Sequence, residues 1–278
     1  MDQLEPGSLP YRLARRTGTH KPLLAGIEVG VAGYVVMTLL LVSLGLLLTK
    51  VLLDGPVGAW DQSLDRWFFV HRTPTLDAIT EWGTRVGDVG AVIVVAAVAV
   101  VILAIGRHWA HISFLVGALL IEVTTFVTTT FVIDRPRPDV PHLDPGPPTS
   151  SFPSGHVAAS IVLYVGIALI VMSLVRSWVV RTLAWLLAFA VPTFVALSRL
   201  NRGMHHPTDV IGSVIGAFGC LAFAFLATRT GVAVAEENER TERDQHPEPV
   251  DTDRELPDTE PPVPESLPAR PADVEVWR

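Results

Sequence analysis

Six apolar stretches organise the chain, at about residues 23–49, 89–106, 111–133, 157–175, 178–197 and 210–227. Each approaches the ~17–25 residues that cross the hydrocarbon of a bilayer. The fifth is the weakest, because Arg181 lies near its start. A backbone inside lipid must satisfy its own hydrogen bonds, so these stretches predict helices and no sheet. The first run starts near Leu23 and is too long for a signal-peptide core of about 7–15 residues, so it reads as a span. The pattern predicts an all-α polytopic membrane protein, a bundle of six transmembrane helices spanning residues 21–230.

The polar segments complete the picture. Residues 54–88 alternate charge with aromatic bulk, as in Trp60-Asp61-Gln62-Ser63-Leu64-Asp65-Arg66-Trp67-Phe68-Phe69. They read either as short amphipathic helices at the membrane interface, where Trp rings settle, or as an ordered loop packed on the bundle. Residues 1–20 form a basic head, expected to be flexible. Residues 231–278 form an acidic, Pro-rich tail with too little apolar surface to offset chain entropy, and disorder is expected there.

Composition adds little beyond this. The formal charge of −7 is a property of the tail, where residues 236–278 hold 14 acidic and 5 basic side chains. The body is weakly basic, so acidity says nothing about the substrate, and nothing in the chain points to nucleic acid. A single cysteine, Cys220, sits inside an apolar run and reads as a small buried hydrophobe. Glu28 and Glu122 lie within spans and read as shallow or helix-packing carboxylates. With the N-terminus inside, Lys and Arg divide evenly between the two faces. Setting aside the four outer arginines with a chemical reason to be there (Arg135, Arg137, Arg199 and Arg202) leaves an inside excess. Both termini are therefore expected in the cytoplasm of a multi-pass cell-membrane protein.

Three polar motifs then fall at ends of spans on the same, extracytoplasmic face: Arg135-Pro136-Arg137-Pro138, Pro153-Ser154-Gly155-His156, and the run from Ser198 to Asp209. Together they supply what a site needs to hold a phosphate and break its ester. Arginine forks match phosphate oxygens, which nominates Arg137 and Arg199, with Arg135 beside them. Ser154 and Gly155 precede a predicted helix, whose N-terminal amides and Ser hydroxyl suit an anion. His205 is the expected nucleophile. Asp209, four residues on, would share a helical face with it and hold one ring nitrogen. His156 is then free to protonate the leaving oxygen. His206 is the lesser candidate for nucleophile. No cluster has metal-ligand spacing, so neither metal nor cofactor is expected.

These residues resemble the type 2 phosphatidic acid phosphatase superfamily, whose pattern is Lys-x6-Arg-Pro, Pro-Ser-Gly-His and Ser-Arg-x5-His-x3-Asp. The second and third motifs match in full, and the resemblance covers roughly residues 55–228. The first departs: Arg137-Pro138 matches, but Thr130 stands where the family has Lys. Arg135, Lys50 or Arg202 could supply the missing cation. The resemblance implies metal-independent hydrolysis of a lipid phosphate or pyrophosphate through a phospho-histidine. The bilayer and a membrane lipid phosphate are then the expected partners. The alternatives are a catalytically weak or non-catalytic lipid-phosphate-binding protein, a vanadate haloperoxidase-like enzyme, against which six spans count, and a transporter.

Overall fold

The computed structural model describes residues 7–146 and 149–245. Its elements are α1 (Leu9–Thr17), α2 (Pro22–Leu47, continued by a π-helical turn Leu48–Leu52), α3 (Pro56–Val70), α4 (Pro74–Gly87), α5 (Val89–Ile105), α6 (Trp109–Val132), α7 (Gly155–Leu174), α8 (Trp178–Asn201) and α9 (Pro207–Gln245). No strand occurs among the described residues. Proline at the first helical position starts α2, α3, α4 and α9, where a missing N–H costs nothing.

Five helices are long and apolar enough to cross a membrane: α2 with its π turn, α6, α7, α8 and α9. The sixth span is less simple. At 17 residues α5 is short, and it joins α4 through a 50° bend at Asp88. The predicted six-helix membrane bundle is thus present, with a bent pair at its second position.

The core is centred on α7, with 56% of its most apolar window buried against 17% for α8. Val162 and Leu163 of α7 pack with Leu115, Ala118, Val195, Ala217 and Leu221 from α6, α8 and α9. Lipid offers no hydrophobic drive between helices, so close van der Waals contact between small and large residues holds such bundles. Gly155 shows the principle: a Cβ there would meet the Phe126 ring of α6 at 2.9 Å. This contact, rather than close approach of an anion, is what visibly requires glycine at 155.

The polar edges differ from expectation in two places. The head is not a flexible segment throughout: α1 buries Tyr11 and Ala14 against Ala25, Ala233 and Val234. Tyr11 Oη donates to Glu236 at 2.9 Å, and Asn238 Nδ2 donates to the His20 carbonyl at 2.8 Å. The expected boundary at residue 231 also moves, since α9 continues as one helix to Gln245. Residues 1–6 and 246–278 lie outside the described residues, and with them most of the expected tail. The chain divides into two units, Met1–Asn238 and Glu239–Arg278. In the second unit the described residues are the exposed last turns of α9, with Arg243 and Glu239 paired at 3.8 Å.

Candidate active site

Three segments meet at the end of the bundle away from α1: the 133–154 connection before α7, the 202–206 turn before α9, and the inner faces of α3 and α4. The 150–154 segment is anchored by Phe152, which is fully buried with Leu41, Leu48 and Ile133 and seated against Gly212 of α9. Gly203 turns the chain after α8 at a φ of 72°, a conformation side chains resist.

The helix α9 begins two residues later than the spacing of His205 and Asp209 suggested. Pro207 is its first residue, so His205 lies outside it. Asp209, in the first turn, reaches back to accept from the His206 backbone N–H at 2.8 Å, as the acidic member of a capping box does. The His205 ring therefore meets Asp209 through the turn and not along a helical face. Its Nδ1 lies 2.7 Å from the Ser151 carbonyl oxygen and 3.8 Å from Asp209 Oδ2. The carbonyl is the hydrogen-bond acceptor, while Asp209 is too distant for one and acts through its charge. A carbonyl can only accept, so Nδ1 carries the proton and Nε2 presents its lone pair. Burial pushes the pKa of His205 below its ordinary value, with Asp209 opposing and Arg199 and Arg137 adding to the fall. The ring is neutral at pH 7.

Arg137 donates Nη1 to the Met204 carbonyl at 2.7 Å, on the turn that carries His205. Arg199, at the end of α8, donates Nη1 to Asp144 at 2.8 Å and to Thr84 at 3.3 Å. Both guanidiniums lie within electrostatic reach of His205, and Arg199 and His205 of His156. The buried Nε atoms of Arg137 and Arg199 and the buried Oγ of Ser154 have no hydrogen-bond partner among the described residues. Buried donors rarely stay unpaired, so an anion here would find unused donors on Arg137, Arg199 and Ser154; the Nε of Arg135 is unpaired as well. His156 opens α7 with its side chain 26% exposed and Nε2 3.8 Å from Asp88. The first-turn amides of α7 have no acceptor within the helix. The Ser154 amide is already spent, donating to Ser213 Oγ at 2.7 Å. Ser154 can therefore offer its hydroxyl to a phosphate but not its backbone N–H.

Arg135 is the clearest correction. It was expected among the phosphate-binding cations, yet it is 2% exposed and committed to carboxylates. Nη2 donates to Asp61 at 2.7 Å, and Nη1 donates to Thr208 at 2.8 Å and to Asp209. Asp61 also accepts from the Thr208 hydroxyl at 2.6 Å and from its amide at 3.1 Å. One turn along α3, Asp65 pairs with His206 Nδ1 at 2.6 Å. Burial raises Asp65 above the ordinary carboxylate range. Burial alone would lower His206, but its hydrogen bond to Asp65 and the charge of Asp209 outweigh that and raise it. At 2.6 Å the ion-paired form prevails, and the upward shift on His206 governs the pair. His206 is thereby tied into the scaffold, and His205 is the ring left free.

Asp61, Asp65, Thr208 and Asp144 had no role in the sequence reading. The i,i+4 spacing of two carboxylates on α3 was the available signal for the first two. The other suggested replacements for the family lysine are not poised for it either. Lys50 is exposed on the π turn, and Arg202 is bound to Asp144, at 2.8 Å from Nε and 2.6 Å from Nη2. Thr130 turns its hydroxyl back to the Val127 carbonyl of its own helix at 2.9 Å. Among the described residues no group of three or more His, Cys, Asp or Glu is placed to hold a metal ion.

Two solved structures are similar to this chain. One is the first transmembrane PAP2-type phosphatidylglycerolphosphate phosphatase from Bacillus subtilis. It has a TM-score of 0.54 at 21% identity over 74% of this chain and 96% of that one. At that identity the likeness bears on the fold alone. The other is Aquifex aeolicus LpxE, with a TM-score of 0.45 at 23% identity over 58% of this chain and 92% of that one. No curated protein matches the chain. The family model described as the PAP2 superfamily matches residues 110–232, the stretch that carries Arg137, Ser154, His156, Arg199, His205 and Asp209. Over that stretch the chain is similar to the PAP2 superfamily.

Proposed function

We propose that the protein is an integral membrane phosphatase. It hydrolyses a lipid phosphate or pyrophosphate, of the phosphatidic acid, phosphatidylglycerol phosphate or polyprenyl pyrophosphate kind, through a phospho-histidine on His205. The PAP2 superfamily match over residues 110–232 and a multi-helix membrane body support hydrolysis of a lipid phosphate in general. The observation that carries the mechanism is the His205 ring. Its Nδ1 is fixed on the Ser151 carbonyl at 2.7 Å, and its Nε2 is free beside two arginines with unpaired buried donors.

The chemistry follows from those groups. The phosphate is held by Arg137, Arg199 and the Ser154 hydroxyl, with the first-turn amides of α7 beside them. His205 Nε2 attacks phosphorus as the phosphorus–oxygen bond to the lipid breaks, and His156 gives its proton to the leaving oxygen. Water then attacks phosphorus, losing a proton to His156, as the phosphorus–nitrogen bond breaks and returns its electron pair to His205 Nε2, and inorganic phosphate leaves. Asp209 steadies the imidazolium character that develops on His205. Arg135, on this reading, is not a phosphate ligand; it holds Asp209 in place. The site faces the extracytoplasmic side, with both termini cytoplasmic, so the lipid chain stays in the bilayer while its head group reaches the site.

Thr130 supports a second reading, a lipid-phosphate-binding membrane protein with little or no turnover, because it leaves one family cation unsupplied. One assay separates them: phosphate release from a panel of lipid phosphates by the purified protein in EDTA. The proposal expects turnover that survives EDTA and is inhibited by vanadate, which mimics five-coordinate phosphorus. Turnover abolished by EDTA and restored by magnesium would sink the metal-free mechanism. Binding without phosphate release on any lipid would establish the second reading.

A further inference from the structure

Asp144 belongs to none of the motifs, yet it touches the site directly. Its Oδ2 accepts from Arg199 Nη1 at 2.8 Å, and its Oδ1 lies 2.8 Å from Arg202 Nε and 2.6 Å from Nη2. These two arginines hold its carboxyl below the ordinary carboxylate range even though burial acts against them. We propose that Asp144 is a specificity-determining carboxylate that competes with the substrate phosphate for Arg199 and so sets how much negative charge a substrate must bring. The inference rests on the phosphatase reading above and deepens it.

The argument is one of shared donors. A guanidinium binds a carboxylate and a phosphate with the same planar N–H pairs, so an anion already seated on Nη1 reduces what Arg199 can give a second one. Among the site's aspartates Asp144 alone is placed to yield. Asp61 and Asp209 are almost wholly buried and share Arg135, whereas the Asp144 side chain is 16% exposed and can turn to water. When it does, Arg202 remains as its partner.

The backbone beside it does not depend on the carboxylate. The Leu143 N–H donates to the Arg202 carbonyl at 3.1 Å, and Arg202 Nη2 donates to the Leu143 carbonyl at 3.2 Å. Arg72 donates to the Pro141 carbonyl nearby. The segment is therefore tethered by contacts that a change at 144 leaves in place. The charge count gives the consequence. With Asp65 paired to His206, Arg135, Arg137, Arg199 and Arg202 face Asp61, Asp144 and Asp209, so the site keeps one net positive charge and the Asp144 carboxylate decides whether an incoming anion meets one or two. A terminal phosphate, close to a dianion at neutral pH, can displace a monoanionic carboxylate; a phosphodiester, itself a monoanion, has no such advantage. The device would favour lipids with a terminal phosphate over ordinary phospholipids, which are abundant in any bilayer.

Two substitutions in the full-length protein test this, because competition and tethering predict different patterns. Asp144→Asn keeps the shape and removes the charge. It is expected to lower both KM for a lipid phosphate and Ki for inorganic phosphate, by about three- to tenfold for a partly screened ion pair. The value of kcat should change less. Arg202→Gln leaves the undivided Asp144 charge on Arg199, and should raise both constants. A structural tether would instead make both substitutions lower kcat and leave the constants alone. Unchanged or raised KM and Ki in Asp144→Asn, with wild-type turnover normal, would overturn the inference and leave the phosphatase reading intact. Absence of turnover in the wild type would remove both. Should Asp144→Asn fail to fold, Asp144→Ser serves for the same measurements.

Discussion

Replacing Arg135 by Met separates two accounts of that residue. Methionine keeps most of the side-chain volume, so the cavity left is small, and the loss is one of charge. The guanidinium holds Asp61 and Asp209, whose side chains are 2% and 0% exposed. Without it two carboxylates remain buried with no cation between them. Breaking a buried pair by removing one partner costs about 3–5 kcal/mol, and here one cation serves two anions. In a protein of this size that corresponds to a fall in melting midpoint of about 6–20 °C. Asp61→Asn should be milder, because Arg135 and Asp209 still neutralise one another; the loss is that of a charged hydrogen bond, about 1.5–3 kcal/mol. The double variant should be more stable than the sum of the two single losses, since Asp61→Asn removes one of the anions that Arg135→Met strands. Thermal unfolding in detergent, read beside KM and kcat, is the assay. A normal midpoint with a raised KM in Arg135→Met would refute the reasoning and return Arg135 to the phosphate.

Two further predictions concern the second imidazole and the orientation. Because Asp65 raises His206, the pair's stabilisation is fully present below the unfolded histidine pKa of about 6.5 and is lost as pH rises through the higher folded value. The gap in melting midpoint between wild type and His206→Gln should therefore narrow on going from pH 6 to 9, and a gap that widens would reverse the assignment. For topology, cysteines at the exposed positions Asp139 and Glu242 can be probed with an impermeant thiol reagent in intact cells. Labelling at 139 alone is expected, and labelling at 242 alone would invert the orientation.

The sequence revealed those features that depend on one segment at a time. Each span is its own hydrophobic run, so all six were legible, the run from 178 to 197 being the weakest. The 50° bend at Asp88 that joins α5 to α4 was not legible, because hydropathy carries no record of a bend. The three motifs were also legible, since each sits within a few residues. What escaped were pairings across the chain. Trp60 and Trp67 of α3 point outward, 44% and 52% exposed, while Asp61 and Asp65 point inward. A helix that buries its carboxylates and shows its tryptophans suits a lipid-facing surface over a charged site, but it inverts the pattern of a soluble amphipathic helix. Arg135 was grouped with Arg137 because they lie two residues apart and are chemically identical. Asp61, which separates their fates, lies 74 residues upstream. The nine-residue α1 is far below the length at which a helix stands alone. It is held by contacts such as Tyr11 with Glu236, 225 residues away, which no local reading could supply.

The most direct test of the central claim is to trap the phosphoryl group. A lipid phosphate labelled in its terminal phosphate is mixed with excess purified protein in EDTA and quenched with alkali within the first turnover. The account predicts alkali-stable, acid-labile label on the peptide containing His205. It should be absent in His205→Ala and retained in His206→Gln. Label that survives in His205→Ala, or phosphate release at normal rate from that variant, would contradict it.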